Sequence, residues 1–369
     1  MEKIIQRTRT WSSTSLSSSN QLNPGREFDR EKLAISLEVV KDLTKNNEKF
    51  TIECIAMKNN DCYMILTSTK KFKIFEKNTL VFSTKTPFET NISHEVSIIY
   101  INDLECFLIS FLGVLYRKDI DNKPPYFFMD ISSISPKDHT RFHYDILRYS
   151  EANRKLISFL KCKYFTVVDL QRKKVELQLR FRRDDRVEYF RLFGKDRNKV
   201  LAVTQKGYIL LYILNYQMRK VLAHNELWIP LLDDVDGSGI NLAVCDRHKY
   251  ALVVVANSRS ITSIELIQIR GSVLEKRASI VEPSTCERFS KSLEFYDYVG
   301  NHILWIGLSI TCSDRAKIYD YNTETGELTE LREKTVNHQV TLPTRIHRLN
   351  DGLYYAGYPG RLMKLNIRS

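Results

Sequence analysis

Residues 154–181 read RKLISFLKCKYFTVVDLQRKKVELQLRF and contain three short apolar runs, LISFL, YFTVVDL and VELQLRF. Each run is too short for a helix and is rich in the branched and aromatic residues that favour β-strands. Every second residue from Val175 to Phe181 is apolar, which predicts that these side chains share one face of a strand. Together with the preceding run HYDILRYS (His143–Ser150), the stretch predicts a meander of four antiparallel strands.

The same four-strand unit recurs along the chain with variation. A four-stranded sheet cannot bury both of its faces alone, so we expect the copies to pack against one another. The segment Asn225–Gly239 lacks the pattern and is predicted to be a loop. The copies span residues 50–86, 95–132, 143–181, 187–224, 240–281 and 291–333, followed by an incomplete copy with three strands, RIHRLND, GLYYAGY and RLMKLNI.

Repeated four-stranded units of roughly 40 to 50 residues predict an all-β fold, a seven-bladed β-propeller. The incomplete last unit lacks one strand, and the alternating segment LAISLEVV (33–40) is predicted to supply it. This N-terminal strand would close the ring and leave no unpaired edge between first and last blades. The propeller would form one domain over residues 32–369. Six or eight blades, and a pair of β-sandwiches, are the alternative architectures.

Four short features extend this prediction from architecture to family. Val168-Asp169 and Tyr319-Asp320 end predicted third strands, His94 precedes the second unit, and Asp314 lies in a hairpin turn of the sixth. With these features the chain after residue 32 resembles the WD40-type propellers, although no unit carries that family's complete His, Ser/Thr, Asp and Trp set. The resemblance implies a non-catalytic scaffold or adaptor subunit that binds other proteins within a complex.

The composition is typical of a soluble globular protein, and its positive charge either favours an anionic partner (nucleic acid, an acidic protein or a phospholipid surface) or serves solubility alone. The 369 residues carry a net charge of +12, with 43% hydrophobic residues. The seven cysteines form no CxxC pair and are odd in number, and no secretory signal precedes them, which predicts reduced thiols in an intracellular protein, cytoplasmic or nuclear. No apolar run approaches the roughly 20 residues of a membrane helix.

The first 31 residues differ from the rest of the chain. The run SSTSLSSS (Ser12–Ser19) is followed by NQLNPG, and the segment has little material for a hydrophobic core. Residues 1–31 are therefore predicted to be a disordered, Ser-rich basic tail.

Motifs for catalysis and metal binding are absent from the sequence. Neither a phosphate-binding glycine loop, nor GxSxG, nor HExxH occurs. His139 and His143 have a metal-ligand spacing only on a helix, and the acidic loop LLDDVDGSG (231–239) has Leu232 where a calcium loop needs its first ligand. We therefore expect no enzyme activity, no metal and no cofactor.

Residues 172–199 hold the strongest concentration of charge. They contain eleven Lys and Arg against five acids, a net charge of +6. Phe181-Arg182-Arg183-Asp184 is similar to the Phe-Arg-Arg-Gly motif of phosphoinositide-binding propellers, but Asp replaces Gly and the motif follows an earlier blade. We expect one basic patch on the rim, formed by Arg172, Lys173, Lys174, Arg180, Arg182, Arg183 and Arg186.

This segment gives the alternative function, an anion-binding propeller that takes a phosphoinositide or RNA through residues 172–199. Tyr189, Phe190 and Phe193 interleave with arginines, as platforms for base stacking do. The same aromatic residues also fit the first strand of the fourth unit, in which case they belong to the core.

Overall fold

The chain is described by a computed structural model, and its strands account for nearly all of the regular structure. The described residues are 34–43, 49–59, 61–77, 79–86, 96–111, 113–131, 146–160, 164–180, 185, 187–194, 196–217, 219–229, 240–247, 249–256, 261–283, 294–308, 315–335, 341–349, 352–358 and 360–368. The predicted tail, residues 1–31, lies outside them. The only helix in the described part is one 3-10 turn, Asn102–Leu104. No helix there is long and apolar enough to cross a membrane.

The strands form seven four-stranded sheets, and the paired strands are antiparallel. In six sheets the four strands follow one another along the chain. The first three of these sheets contain β2 (Ile52–Met57), β3 (Cys62–Thr67), β4 (Lys71–Glu76) and β5 (Thr79–Lys85); β6 (Val96–Ile101), β7 (Cys106–Phe111), β8 (Val114–Asp119) and β9 (Tyr126–Asp130); and β10 (Ile146–Ser150), β11 (Lys155–Leu160), β12 (Tyr164–Asp169) and β13 (Lys174–Arg180).

The fourth to sixth sheets have the same order and slightly longer strands. They contain β14 (Val187–Phe193), β15 (Lys199–Thr204), β16 (Tyr208–Asn215) and β17 (Lys220–Trp228); β18 (Ile240–Cys245), β19 (Tyr250–Ala256), β20 (Ile261–Arg270) and β21 (Val273–Pro283); and β22 (Glu294–Val299), β23 (His302–Leu308), β24 (Arg315–Asn322) and β25 (Leu328–Thr335). The sequence-based repeat of four-stranded units is therefore confirmed.

The seventh sheet combines the two ends of the chain. It contains β26 (Thr341–Leu349), β27 (Gly352–Tyr358), β28 (Arg361–Arg368) and, beside β28, the N-terminal strand β1 (Ala34–Asp42). The register pairs Ala34 with Arg368 and Asp42 with Arg361. Two side-chain contacts link these strands: Arg361 Nε lies 3.0 Å from Oδ2 of its register partner Asp42, and Asn366 donates diagonally to Glu38.

Buried side chains fill the spaces between consecutive sheets. The first strands contact one another in the series β2, β6, β10, β14, β18 and β22, while the seventh sheet contacts the first through β26 and β2 and the sixth through β1 and β25. Separate apolar clusters lie between the first and second, second and third, third and fourth, fourth and fifth, and fifth and sixth sheets. A sixth cluster places Leu362 of β28 against Phe50 and Tyr63 of the first sheet.

A β-bulge recurs in the outer strand, the strand that ends each sheet, although its place along the strand varies. At the bulge, the outer strand contains one additional residue, which has no register partner in the neighbouring strand. A bulge bends and twists an edge strand, which makes the edge a poorer template for further pairing. In six sheets the additional residue is Val40, Val81, Phe128, Glu176, Leu222 or Arg277.

The bulge corrects one prediction made from the alternation in β13. Val175 pairs with Val168 and Leu177 pairs with Val167, so Glu176 is the additional residue and the strand turns over between them. Val175 consequently packs against the cluster shared with the second sheet, whereas Leu177 and Leu179 pack against the cluster shared with the fourth. The prediction that these three side chains share one face is wrong.

A substitution at Gly360 tests the packing between the seventh and first sheets. Its φ is +102°, and an added Cβ would lie 3.0 Å from the ring of Phe50. Because backbone strain and overpacking act together, Gly360→Ala should lower the free energy of unfolding by roughly 2–4 kcal/mol in urea titrations. Gly326 is the matched control, since its φ is +73° and nothing lies within 4 Å of an added Cβ. Equal losses in the two variants would contradict this packing.

Candidate functional site

The structure divides the predicted basic patch. Arg172 and Lys173 lie in the turn between β12 and β13, and Lys174 begins β13; all three are exposed. Arg180 ends β13 and pairs with Tyr164. Six residues of strand place Arg180 about 20 Å from Lys174. Arg182, Arg183 and Arg186 lie outside the described residues.

A second basic turn from the next sheet joins the first. Arg219 and Lys220 are exposed at the turn that leads into β17. Arg219 Nε lies 3.2 Å from Oε1 of Glu176, the bulge residue of β13, and so fastens the two turns together. We call the five exposed cations Arg172, Lys173, Lys174, Arg219 and Lys220 the basic cluster.

The two turns have the same length and nearly the same sequence. Each has four residues between its strands, and its last residue has a left-handed backbone, with φ of 49° at Lys173 and 51° at Arg219. The sequences read QRKKV (171–175) and QMRKV (217–221). Alignment of the third and fourth units would have revealed this correspondence, whereas the density of charge along residues 172–199 does not extend to Arg219 and Lys220.

The carboxylates beneath the basic cluster are buried and paired. Lys155 Nζ lies 2.6 Å from Asp169 Oδ2 and 2.9 Å from Glu176 Oε2. Asp169 also accepts a hydrogen bond from the backbone N–H of Arg172. Burial acts to raise the pKa of Asp169, but the hydrogen bonds from Lys155 and Arg172 outweigh it and hold this pKa below its usual value.

The exposed surface of this site is therefore positive. The basic cluster and Lys155 provide six cations against the two carboxylates, a net charge of +4 among these groups. The side chains of Asp169 and Glu176 are only 11% and 4% exposed, so an approaching ligand meets the cations first. Lys173 Nζ also lies 4.6 Å from the ring centroid of Phe128 in β9, which extends the site to the second sheet.

The large apolar side chains that remain exposed in the described part of the chain all lie on outer strands. The most exposed is Phe127 of β9, at 62%. The nine residues are Val39 and Val40 of β1, Leu80 of β5, Tyr126 and Phe127 of β9, Leu222 and Trp228 of β17, and Val273 and Val281 of β21.

One of these strands extends further than the sequence indicated. The segment Asn225–Gly239 was expected to be a loop, but β17 continues to Trp228, which pairs with Tyr208. The prediction is therefore wrong for residues 225–228, while residues 230–239 lie outside the described part. Asn225 and Glu226 are polar and are followed by the apolar Leu227. The sequence therefore shows no clear apolar alternation in this part of the strand.

The aromatic residues proposed as stacking platforms belong to the core. Phe190 and Phe193 are buried in the clusters that flank the fourth sheet, and Tyr189 packs against one of them. Stacking of bases on Phe190 and Phe193 is therefore excluded in this fold. Asp320, one of the acids that suggested a WD40-type family, is fully buried with His302 Nδ1 2.9 Å from its Oδ1.

Comparisons with known proteins assign no family to this architecture. No protein-family model matches the chain, and no curated protein matches it. Among the described residues, no group of three or more His, Cys, Asp or Glu side chains could hold a metal ion.

The lowered pKa of Asp169 predicts a specific dependence of stability on pH. A depressed pKa stabilises the fold above the ordinary carboxyl pKa, and this contribution disappears as pH falls through about 4 and below. Asp169→Asn should therefore be roughly 1–2 kcal/mol less stable than wild type at pH 7, with the difference shrinking toward pH 3 in urea titrations. The control is Asp196→Asn, which changes an exposed acid; its free energy of unfolding should follow that of wild type across the same pH range. A difference that stays constant with pH would contradict the assignment.

Proposed function

We propose that residues 32–369 form a WD40-like, seven-bladed β-propeller in which each four-stranded sheet is one blade. The series of contacts between first strands supports this arrangement, as does the contact of the seventh sheet with both the sixth and the first. The pairing of β1 with β28, and the presence in β1 of a bulge such as β5, β9, β13, β17 and β21 also have, support β1 as the outer strand of the last blade.

We further propose that the protein is a non-catalytic interaction scaffold, an adaptor subunit that binds other proteins within a complex. The observation that carries this proposal is the confinement of exposed large apolar residues to outer strands. Outer strands form the rim of a propeller, and each has one edge without a strand partner in the described sheets. Apolar side chains beside free backbone donors and acceptors are typical of surfaces that bind other proteins.

A reducing cellular compartment, cytoplasmic or nuclear, suits the described cysteines. Cys54, Cys62, Cys106 and Cys245 are free and buried. Burial raises the pKa of the Cys106 thiol to about 11, which keeps it protonated and unreactive at neutral pH. These cysteines act as small apolar residues of the core.

The second candidate function is anion binding, to a phosphoinositide or RNA. The observation in its favour is the basic cluster, which has a net positive surface and extends over two turns. The separation of Arg180 from Lys174 by the length of β13 weakens it, because a single ligand must then span both groups. If this candidate is correct, RNA or vesicles that contain a phosphoinositide bind the chain in a salt-dependent way, and reversal of the charges of Arg172 and Lys174 removes the binding.

The scaffold proposal is tested by affinity purification of the full chain with single rim substitutions. Four variants each place a charge on an exposed apolar position: Leu80→Lys, Phe127→Lys, Trp228→Lys and Val281→Lys. The free energy of unfolding should change by less than about 0.5 kcal/mol in each. At least one variant should lose a partner protein that co-purifies with wild type in stoichiometric amount. Thr79→Lys, beside Leu80 on β5, should retain every partner.

The opposite outcome is equally defined. If the wild-type chain is recovered alone and remains monomeric by light scattering at native expression levels, the scaffold proposal is wrong.

A further inference from the structure

We propose that β17 and the basic cluster form one docking surface for an extended acidic segment of a partner protein. This inference rests on the proposed scaffold function and names the chemistry of one partner. The surface consists of the basic cluster at the start of β17, Leu222 two residues further on, and Trp228 at the end of the strand.

The free edge of β17 provides the main-chain part of the surface. In its sheet β17 pairs with β16 and has no second partner among the described strands. The bulge falls at Leu222, close to the turn, and leaves six regular residues, 223–228, beyond it. A strand of this length can pair with an extended peptide through backbone hydrogen bonds, which neither a lipid headgroup nor a nucleic acid can supply.

The apolar part of the surface lies at the bulge itself and differs from the bulges of the two preceding sheets. The corresponding residue of the third sheet, Glu176, is buried and ion-paired, and that of the second sheet, Phe128, is buried beneath Lys173. Leu222 instead is 53% exposed beside Lys220. Its free side chain can receive an apolar residue of a partner.

Charge gives the docked peptide a direction. The basic cluster lies at the turn end of β17 and attracts acidic residues there, whereas the exposed residue at the other end of the strand is the apolar Trp228. A peptide with acidic residues near the turn and apolar residues toward Trp228 matches this arrangement.

Binding of labelled peptides to the full chain tests the proposal. The probes are two fluorescein-labelled twelve-residue peptides, with six Glu or Asp residues followed or preceded by alternating Val and Thr, measured by anisotropy at low salt. We expect one of them to bind with a dissociation constant in the micromolar range and at least tenfold more weakly when its acids are replaced by Lys. A version with every second amide N-methylated should bind at least fivefold more weakly, since it cannot pair along β17.

A charge-reversed variant locates the site. Arg172→Glu, Lys174→Glu and Lys220→Glu change three cations whose side chains have no described ion pair, and they leave the contacts of Lys173 and Arg219 intact. This triple variant should bind the peptide at least tenfold more weakly. The matched control, with Lys85, Lys123 and Arg247 each changed to Glu, alters three exposed cations of other sheets and should stay within twofold of wild type.

Each contrary result overturns a defined part of the account. Absence of peptide binding, or equal loss in the triple variant and its control, overturns the docking surface; equal binding of the N-methylated peptide overturns pairing along β17. Tighter binding of RNA or phosphatidylserine vesicles that is lost in the triple variant assigns the cluster to phosphate instead. If the peptide fails but rim substitutions still release partners in affinity purification, the scaffold function stands without this surface.

Discussion

In the described part of the chain the first five sheets each have two apolar faces, and both are covered by neighbouring segments. Four strands are too few to bury their own faces, so a linear stack of such sheets would leave one face exposed at each end. The proposed propeller would give every sheet two neighbours. The clusters between consecutive sheets, and the contacts of the seventh sheet with the first and sixth, are what such an arrangement requires.

The same constraint explains why polar groups and exposed residues occupy the positions they do. Because the faces are covered, what remains for solvent and partners is the set of outer strands and the turns. At the outer strands the recurrent bulge limits unwanted pairing, as edge strands generally require. At the turns, long cations fasten neighbouring sheets, as Arg219 does through Glu176 and Lys173 does over Phe128. The basic cluster therefore has two roles: Lys173 and Arg219 stabilise the contact between sheets, and the exposed cations remain available to a ligand.

The architecture could be predicted because its signals are local. Alternation of apolar residues and turn residues between short runs are both encoded within a few positions, so the unit boundaries agree with the strands. The turnover of β13 at Glu176 could not be predicted, because a bulge depends on the partner strand and leaves the alternation of Val175 and Leu177 unchanged.

The candidate site was predicted only in part for a related reason. Arg172, Lys173 and Lys174 are exposed as expected, but their neighbours in space are Arg219 and Lys220, which are more than forty residues away in the chain. Charge density along the sequence instead associated them with Arg180, which the length of β13 separates from them. Comparison of equivalent turns between units carries this information, whereas counting charges in one segment does not. The identity of a partner depends on surfaces of another molecule and has no local signal in this chain.

The central claim is that β1 completes the last sheet, and a cross-link measures it most directly. Glu38 and Lys364 are register partners in β1 and β28, so Glu38→Cys with Lys364→Cys should form a disulfide within one chain under mild oxidation. Glu38→Cys with Lys220→Cys, on the outer strand of another sheet, should form none. Peptide mapping by mass spectrometry after oxidation of the folded protein distinguishes these outcomes. We predict a bond between positions 38 and 364 in the monomer; its absence, or its formation only between two chains, would contradict the account.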